Sequence, residues 1–120
     1  MRVLDANYIL RYLLNDNPGM YAEAKAVIEH EPCLVLGEVV AEVVYVLDGY
    51  YDISRKEISE TLEVFFRQEG LQMHEPLSVV LQALVLYADT SLDYVDCYLC
   101  ALKGRYRVAT FDKKLQKCVD

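Results

Sequence analysis

The sequence has no apolar run long enough to cross a membrane. A transmembrane helix needs roughly 18 consecutive apolar residues, and charged side chains interrupt this chain more often than that. The N-terminus also lacks the basic-then-apolar layout of a signal peptide. Both absences predict a cytoplasmic protein that makes no contact with a membrane.

Stretches rich in proline, glycine or serine are absent as well. The chain has only three prolines and five glycines, and no low-complexity segment that would separate two domains. Its 120 residues match the usual size of one domain, and a hydrophobic content of 54% can fill a core that is covered on more than one side. We therefore expect a single domain over residues 1–120.

Positive charge is scarce. Nineteen acidic residues against twelve basic ones give a net charge of −7, which argues against a protein that holds nucleic acid by a broad basic surface. Half of the basic residues fall within residues 103–117, which we call the basic segment. They are Lys103, Arg105, Arg107, Lys113, Lys114 and Lys117. Any contact with nucleic acid must therefore be local.

The sequence also has few histidines and no complete cysteine motif for a metal. His30 and His74 are the only histidines, and neither neighbours an acidic motif, so a histidine base or zinc site is not indicated. Cys97-x-x-Cys100 lacks the second pair that a tetrahedral zinc site requires. An apolar-rich domain needs no disulfides, so a reduced compartment is expected. The cysteines predicted to be small core residues are Cys33, Cys97, Cys100 and Cys118.

Short apolar runs alternate with helical patterns along the chain. The predicted strands are 2–5, 33–36, 71–73 and 106–110. The predicted helices are 8–14, 18–29, 38–47, a helix that begins at the Ser54/Glu57 capping box and ends before Gly70, 76–88, 93–103 and a short one from 112. This alternation favours a parallel sheet with helices on both faces, which is a three-layer α/β/α sandwich.

Four carboxylates stand in apolar surroundings. They are Asp5, Glu42, Asp96 and Asp112. In parallel α/β folds, ligands bind beyond the carboxyl ends of the strands. Asp5 closes the first predicted strand and Asp112 lies two residues past the last one, so both are expected at the ligand-binding edge.

Glu42 and Asp96 can also be explained by ordinary structural roles. Glu42 shares a helix face with Glu38, Tyr45 and Gly49, and this face could be a solvated stripe. Asp96 could cap the N-terminus of a helix together with Asp93. The residues alone leave these alternatives open.

The order and context of the four acids resemble PIN-domain proteins. The matching segments are VLDAN at 3–7, AEVVYVL at 41–47, DYVDCYL at 93–99 and ATFD at 109–112. They span nearly the whole chain, and they are most similar to the VapC-type toxins of bacterial toxin–antitoxin pairs. The resemblance implies the parallel sandwich described above and a Mg²⁺- or Mn²⁺-dependent ribonuclease site.

The resemblance also implies roles for individual residues. Asp5, Glu42, Asp96 and Asp112 match the catalytic, metal-binding acids. The implied accessory residues are Asn7, Asp93 and Thr110. Ala6 departs from the family, which usually has Thr or Ser there, so one hydroxyl is missing. Oxygen-only ligands suit Mg²⁺ and Mn²⁺, which activate a water for in-line attack on a phosphodiester.

The resemblance further implies a homodimer and a small antitoxin protein as partners. The basic segment flanks Asp112, where it is either a solvated face or a set of phosphate contacts for an RNA substrate. The residues expected to contact phosphate are Lys103, Arg105, Arg107, Lys113 and Lys114.

Two other functions remain open. An Asp that ends the first strand of a parallel sheet also accepts phosphoryl groups in aspartyl-phosphate enzymes. Asp5-Ala6-Asn7 lacks the second Asp that such phosphatases use, and no lysine that would pair with the phosphate is evident. A non-catalytic binding module that keeps the acids as a structural network is the third hypothesis, and it predicts unchanged RNA with any metal.

Overall fold

The computed structural model describes residues 1–120, and it has three parallel strands flanked by seven α-helices. The strands are β1 Arg2–Val3, β2 Cys33–Val35 and β3 Leu71–Met73. The helices are α1 Ala6–Leu14, α2 Pro18–His30, α3 Gly37–Gly49, α4 Arg55–Phe66, α5 Leu77–Asp89, α6 Tyr94–Ala101 and α7 Lys113–Val119, with a 3₁₀ turn at Leu102–Gly104. This confirms the predicted three-layer α/β/α architecture. None of the helices combines the length and apolarity that a membrane crossing requires.

The sheet has the order β1-β2-β3, with Arg2 opposite Cys33 and Cys33 opposite Leu71. Because all strands are parallel, their carboxyl ends meet at one edge. Asp5 follows β1 there, and Glu75 lies two residues after β3. The outer edge of β1 has no partner strand.

Helix α4 illustrates how local sequence determines the packing. The side chain of Ser54 accepts a hydrogen bond from the backbone N–H of Glu57 at 3.2 Å, so the helix starts where the capping pattern predicts. Its apolar face, predicted from helical spacing, is buried to within 2% exposure. The residues on that face are Ile58, Leu62, Phe65 and Phe66.

Arg55, the first residue of α4, braces the connection between α5 and α6. Its guanidinium lies 3.7 Å from the centre of the Tyr87 ring, and its Nε donates to the Tyr87 carbonyl at 2.7 Å. A second nitrogen donates to the carbonyl of Leu92. The connection leads directly into Asp93, so this cation fixes the start of α6 in place.

The predicted strand at 106–110 is wrong. Residues 106–112 form no strand, and no side chain within 106–110 is fully buried. The run was predicted as one of the short stretches that alternate with helical patterns, but it has no buried face that would hold it in the sheet. The chain instead continues into α7, which packs on α6.

The expectation of four unpaired core cysteines is half wrong. Cys33 and Cys97 are free and buried, as predicted, whereas Cys100 and Cys118 form a disulfide. The two cysteines are 18 residues apart and meet only because α7 packs on α6, which sequence spacing does not reveal. Lys103 strengthens the same junction, since its Nζ donates to the Cys118 carbonyl at 2.8 Å.

Candidate active site

Asp5 stands at the carboxyl end of β1, where the chain turns into α1. Its Oδ1 accepts a hydrogen bond from the N–H of Tyr8 at 2.8 Å and so caps the helix. The side chain is exposed and borders a pocket of about 230 Å³ that Arg2 and Val27 also line. Asp5 therefore combines a structural role with access to solvent.

Asp93 and Asp112 are also helix caps. Asp93 accepts from the N–H of Asp96 at 2.9 Å at the start of α6, and Asp112 accepts from the N–H of Leu115 at 2.9 Å at the start of α7. Thr110 supports the second cap, because its Oγ1 accepts from the N–H of Asp112 at 3.0 Å. The capping role considered for Asp96 thus belongs to Asp93, and the carboxylate of Asp96 has no hydrogen-bond partner of its own.

Asp96 is the acid with the most perturbed surroundings. It is partly buried, and this burial raises its pKa above the ordinary value. The negative charges of Asp93 and Asp112 raise the pKa further. Three of the carboxylates singled out in the sequence therefore lie close enough to interact at the junction of α6 and α7.

The charges of Asp5 and Glu42 are not among those that act on Asp96. Glu42 is exposed on α3, in line with Glu38 and Tyr45, as a solvated stripe would be. No group of three or more His, Cys, Asp or Glu side chains is placed to hold a metal ion.

The basic segment borders the Asp96 group. The Nζ of Lys114 donates to the Oγ of Ser91 at 3.2 Å, which places a cation two residues from Asp93. All six cations of the segment are exposed. Those without a side-chain hydrogen bond or ion pair are Arg105, Arg107, Lys113 and Lys117.

Comparison with known protein families decides the class of this fold. The family model of the PIN domain matches residues 2–119. The chain belongs to the PIN-domain family. Curated proteins and solved structures gave no match. PIN domains are generally nucleases that act on nucleic acids and typically use divalent metals, and this membership supports a hydrolase activity for the chain.

The acidic side chains of this PIN domain are of the type that binds a divalent metal, but their positions do not form a metal site. Carboxylate oxygens are the ligands that Mg²⁺ and Mn²⁺ prefer, and a cation beside Asp96 would relieve the repulsion from Asp93 and Asp112. The side chains do not form a complete ligand set, however. The fit is therefore chemical and electrostatic, and it is centred on the junction of α6 and α7.

One acid at the ligand-binding edge of the PIN domain was missed in the sequence. Glu75 lies two residues after β3, and its Oε2 is buried without a hydrogen-bond partner. The carboxylate lies so close to Gly37 that a Cβ there would approach it to 2.7 Å. Gly37 opens α3, and the positive end of the helix dipole favours an acid at this place. The rule that selected Asp112, two residues past a strand, would also have selected Glu75.

The raised pKa of Asp96 predicts how the stability of the PIN domain depends on pH. A carboxyl whose pKa is higher in the folded state binds protons more tightly there, so its ionisation weakens the fold as pH rises through the folded pKa. We expect Asp96→Asn to unfold at higher urea concentration than wild type at pH 7. The difference should vanish below the ordinary carboxyl pKa of about 3.9, because Asp96 is then neutral in both states. Urea titrations of both proteins across this range measure it, and a gap that widens on acidification would contradict the predicted sign.

Proposed function

We propose that this PIN domain is a Mg²⁺- or Mn²⁺-dependent endoribonuclease whose metal ligands are Asp5, Glu42, Asp96 and Asp112. One observation carries the proposal. Asp96 forms no ion pair and the charges of Asp93 and Asp112 act on it, in a chain that matches a family of generally nucleolytic proteins over residues 2–119. Such uncompensated acids are a favourable place for a divalent cation.

The residues around the proposed site have different roles. Asp5, Glu42, Asp96 and Asp112 would hold the divalent cation, which would supply an activated water and neutralise charge on the leaving oxygen. Thr110 orients Asp112 through its backbone, and Asp93 fixes the first turn of α6 that carries Asp96. Asn7 is exposed on α1 next to Asp5, where an amide can hold a phosphate oxygen or a water. The proposal requires Asp5, Glu42 and Asp96 to come together around the cation, because no group of three or more acidic side chains is placed to hold one.

The basic segment supplies the phosphate contacts in this proposal. Lys114 is anchored near Asp93 by its bond to Ser91, and Lys103 is anchored at Cys118. Arg105, Arg107 and Lys113 are exposed and unpaired, so they can meet the RNA backbone without breaking a bond.

The biological role within this proposal is that of a VapC-type toxin in the cytoplasm, assembled as a homodimer and held inactive by a small antitoxin. The support is the similarity of the four acidic segments to those toxins. Sedimentation of the purified chain tests the dimer. Growth arrest on expression, relieved by the product of a neighbouring small gene, tests the toxin role.

Cleavage of RNA tests the enzymatic part of the proposal. Purified protein should cut RNA with Mg²⁺ or Mn²⁺ into products with 5′-phosphate and 3′-hydroxyl ends, and EDTA should stop the reaction because the acids alone do not activate water. Gel analysis of a labelled RNA measures the rate. Equal cleavage in EDTA would refute the metal mechanism. Unchanged RNA with every metal would favour the non-catalytic module, in which Asp5, Asp93 and Asp112 serve as helix caps only.

A further inference from the structure

Two aromatic side chains project from the basic segment into solvent. Phe111 is 102% exposed, more than any other large apolar side chain, and Tyr106 is 67% exposed. Burying a phenylalanine stabilises a fold by roughly 1.5–3 kcal/mol, and this chain leaves that contribution unused. A single exposed aromatic needs no explanation. Two of them within six residues, among unpaired cations, do.

The charges around these two rings are mostly positive, whereas the rest of the protein is strongly negative. Arg105 and Arg107 flank Tyr106, and Lys113 lies two residues after Phe111. The basic segment has six cations and one acid, Asp112, for a net charge of +5, and the other residues carry six cations and eighteen acids, for −12. A ligand that prefers this segment over the remaining surface is therefore strongly anionic.

The cations elsewhere are mostly occupied. Arg2 pairs with Glu31 and Arg11 pairs with Asp16. Arg55 is committed to the connection between α5 and α6. The basic segment is therefore the main place where several arginine and lysine side chains remain available to an anion.

The two exposed aromatic side chains also lie beside the proposed active site in the sequence. Phe111 immediately precedes Asp112, whose charge acts on Asp96. The five residue-to-residue steps from Tyr106 to Phe111 span at most roughly 17 Å when extended, so both rings can contact the same short stretch of ligand. No bulky group covers either ring.

We propose that Tyr106 and Phe111 stack on unpaired bases of single-stranded RNA while Arg105, Arg107 and Lys113 contact its phosphates. This inference rests on the proposed ribonuclease function. Every base has a flat face that an aromatic ring can stack on, so the platform accepts many sequences. Bases in a duplex already stack on each other and cannot reach the rings, so the platform selects single strands over duplexes.

Binding of RNA in EDTA tests the platform separately from cleavage. The probe is a fluorescent 12-nucleotide single-stranded RNA, and the readout is fluorescence anisotropy. Phe111→Leu keeps an apolar side chain without a ring and should weaken binding at least about fivefold, the lower end of the loss for one base stack. Phe111→Tyr should bind within about twofold of wild type because it keeps the ring. Tyr50→Leu is the matched control, since it removes a ring that is 80% exposed outside the segment, and its affinity should not change.

The salt dependence tests the phosphate contacts. The double variant Arg105→Gln, Arg107→Gln should reduce the slope of log affinity against log salt by about 1.4, because each phosphate neutralised on a single strand contributes about 0.7. Lys56→Gln removes an exposed cation on α4 and should leave the slope unchanged. A duplex of the same sequence should bind at least about tenfold more weakly than the single strand, because its bases offer no free faces.

Several results would overturn the platform. Wild-type affinity in Phe111→Leu, equal affinity for the duplex, or no RNA binding at all would each contradict it. Self-association of wild type that Phe111→Ser abolishes, with RNA affinity unchanged, would make the patch a protein interface. Cleavage with Mn²⁺ by a protein whose Phe111→Leu variant binds RNA normally would keep the ribonuclease and reject the platform. RNA binding through Phe111 without cleavage under any metal would keep the platform and reject the ribonuclease.

Discussion

Replacing Asp96 with Asn should lower kcat for RNA cleavage by at least about a hundredfold while the protein remains folded. Asn keeps the shape of the side chain but removes the charge that would bind a divalent cation. Removing a group that only orients a metal ligand already lowers metal affinity or activity by about 10–100-fold. Loss of a ligand itself should therefore lower activity by at least about 100-fold. Asp5→Asn should behave in the same way. Single-turnover cleavage with saturating Mn²⁺ measures both.

The control is Asp89→Asn, which removes one negative charge from an exposed acid at the end of α5. It should retain wild-type kcat. Melting curves separate metal binding from catalysis, because a ligand at a hundredfold excess over its Kd stabilises the native state by about 2.7 kcal/mol. Mn²⁺ should therefore raise the Tm of wild type and Asp89→Asn more than that of Asp96→Asn. Full activity in both Asp5→Asn and Asp96→Asn would show that other acids bind the metal.

Loss of the Cys100–Cys118 disulfide should lower the free energy of unfolding by about 3 kcal/mol. The bond closes a loop with a sequence separation of 18 residues, and in the chain-entropy model a loop of this length restricts the unfolded chain by about that amount. Small domains are stable by only about 5–15 kcal/mol, so the change is a large fraction of the total. Urea denaturation of oxidised and reduced wild type measures it.

Cys118→Ser provides the matched comparison, because position 118 is only partly buried and a hydroxyl is tolerated there. Its midpoint should equal that of reduced wild type, and reductant should not change it further. Thiol counting establishes that the bond has been broken. A wild-type midpoint that does not respond to complete reduction would mean that the disulfide makes no contribution to stability.

Patterns within a few residues predicted much of the fold. Strand β3 was predicted at its observed bounds, 71–73, and the capping pattern located the start of α4. Both depend on interactions between neighbours in sequence. The run at 106–110 has no buried face and forms no strand, although its local pattern predicted one. The pairing of Cys100 with Cys118 depends on how α7 packs on α6, which no local pattern encodes.

The candidate site was predictable to a similar degree. The rule that ligands bind beyond parallel strands placed Asp5 correctly at the carboxyl edge. Asp112 was assigned to that edge through a strand that does not form, and its charge acts on Asp96 from the start of α7. Convergence of all four acids stays a prediction, because the positions of Glu42 and Asp5 relative to Asp96 are set by helix packing rather than by spacing.

The uneven distribution of charge makes the molecule a strong electric dipole. The molecule measures 46 × 29 × 19 Å, whereas the Debye length is about 30 Å at 0.01 M salt and about 10 Å at 0.1 M. At low salt, a diffusing polyanion is therefore repelled by most of the surface and turned toward the positive end before contact. At physiological salt the orienting torque acts only at close range. Ionic strength should thus act mainly on the rate of encounter, and the lifetime of the bound complex should depend on short-range contacts.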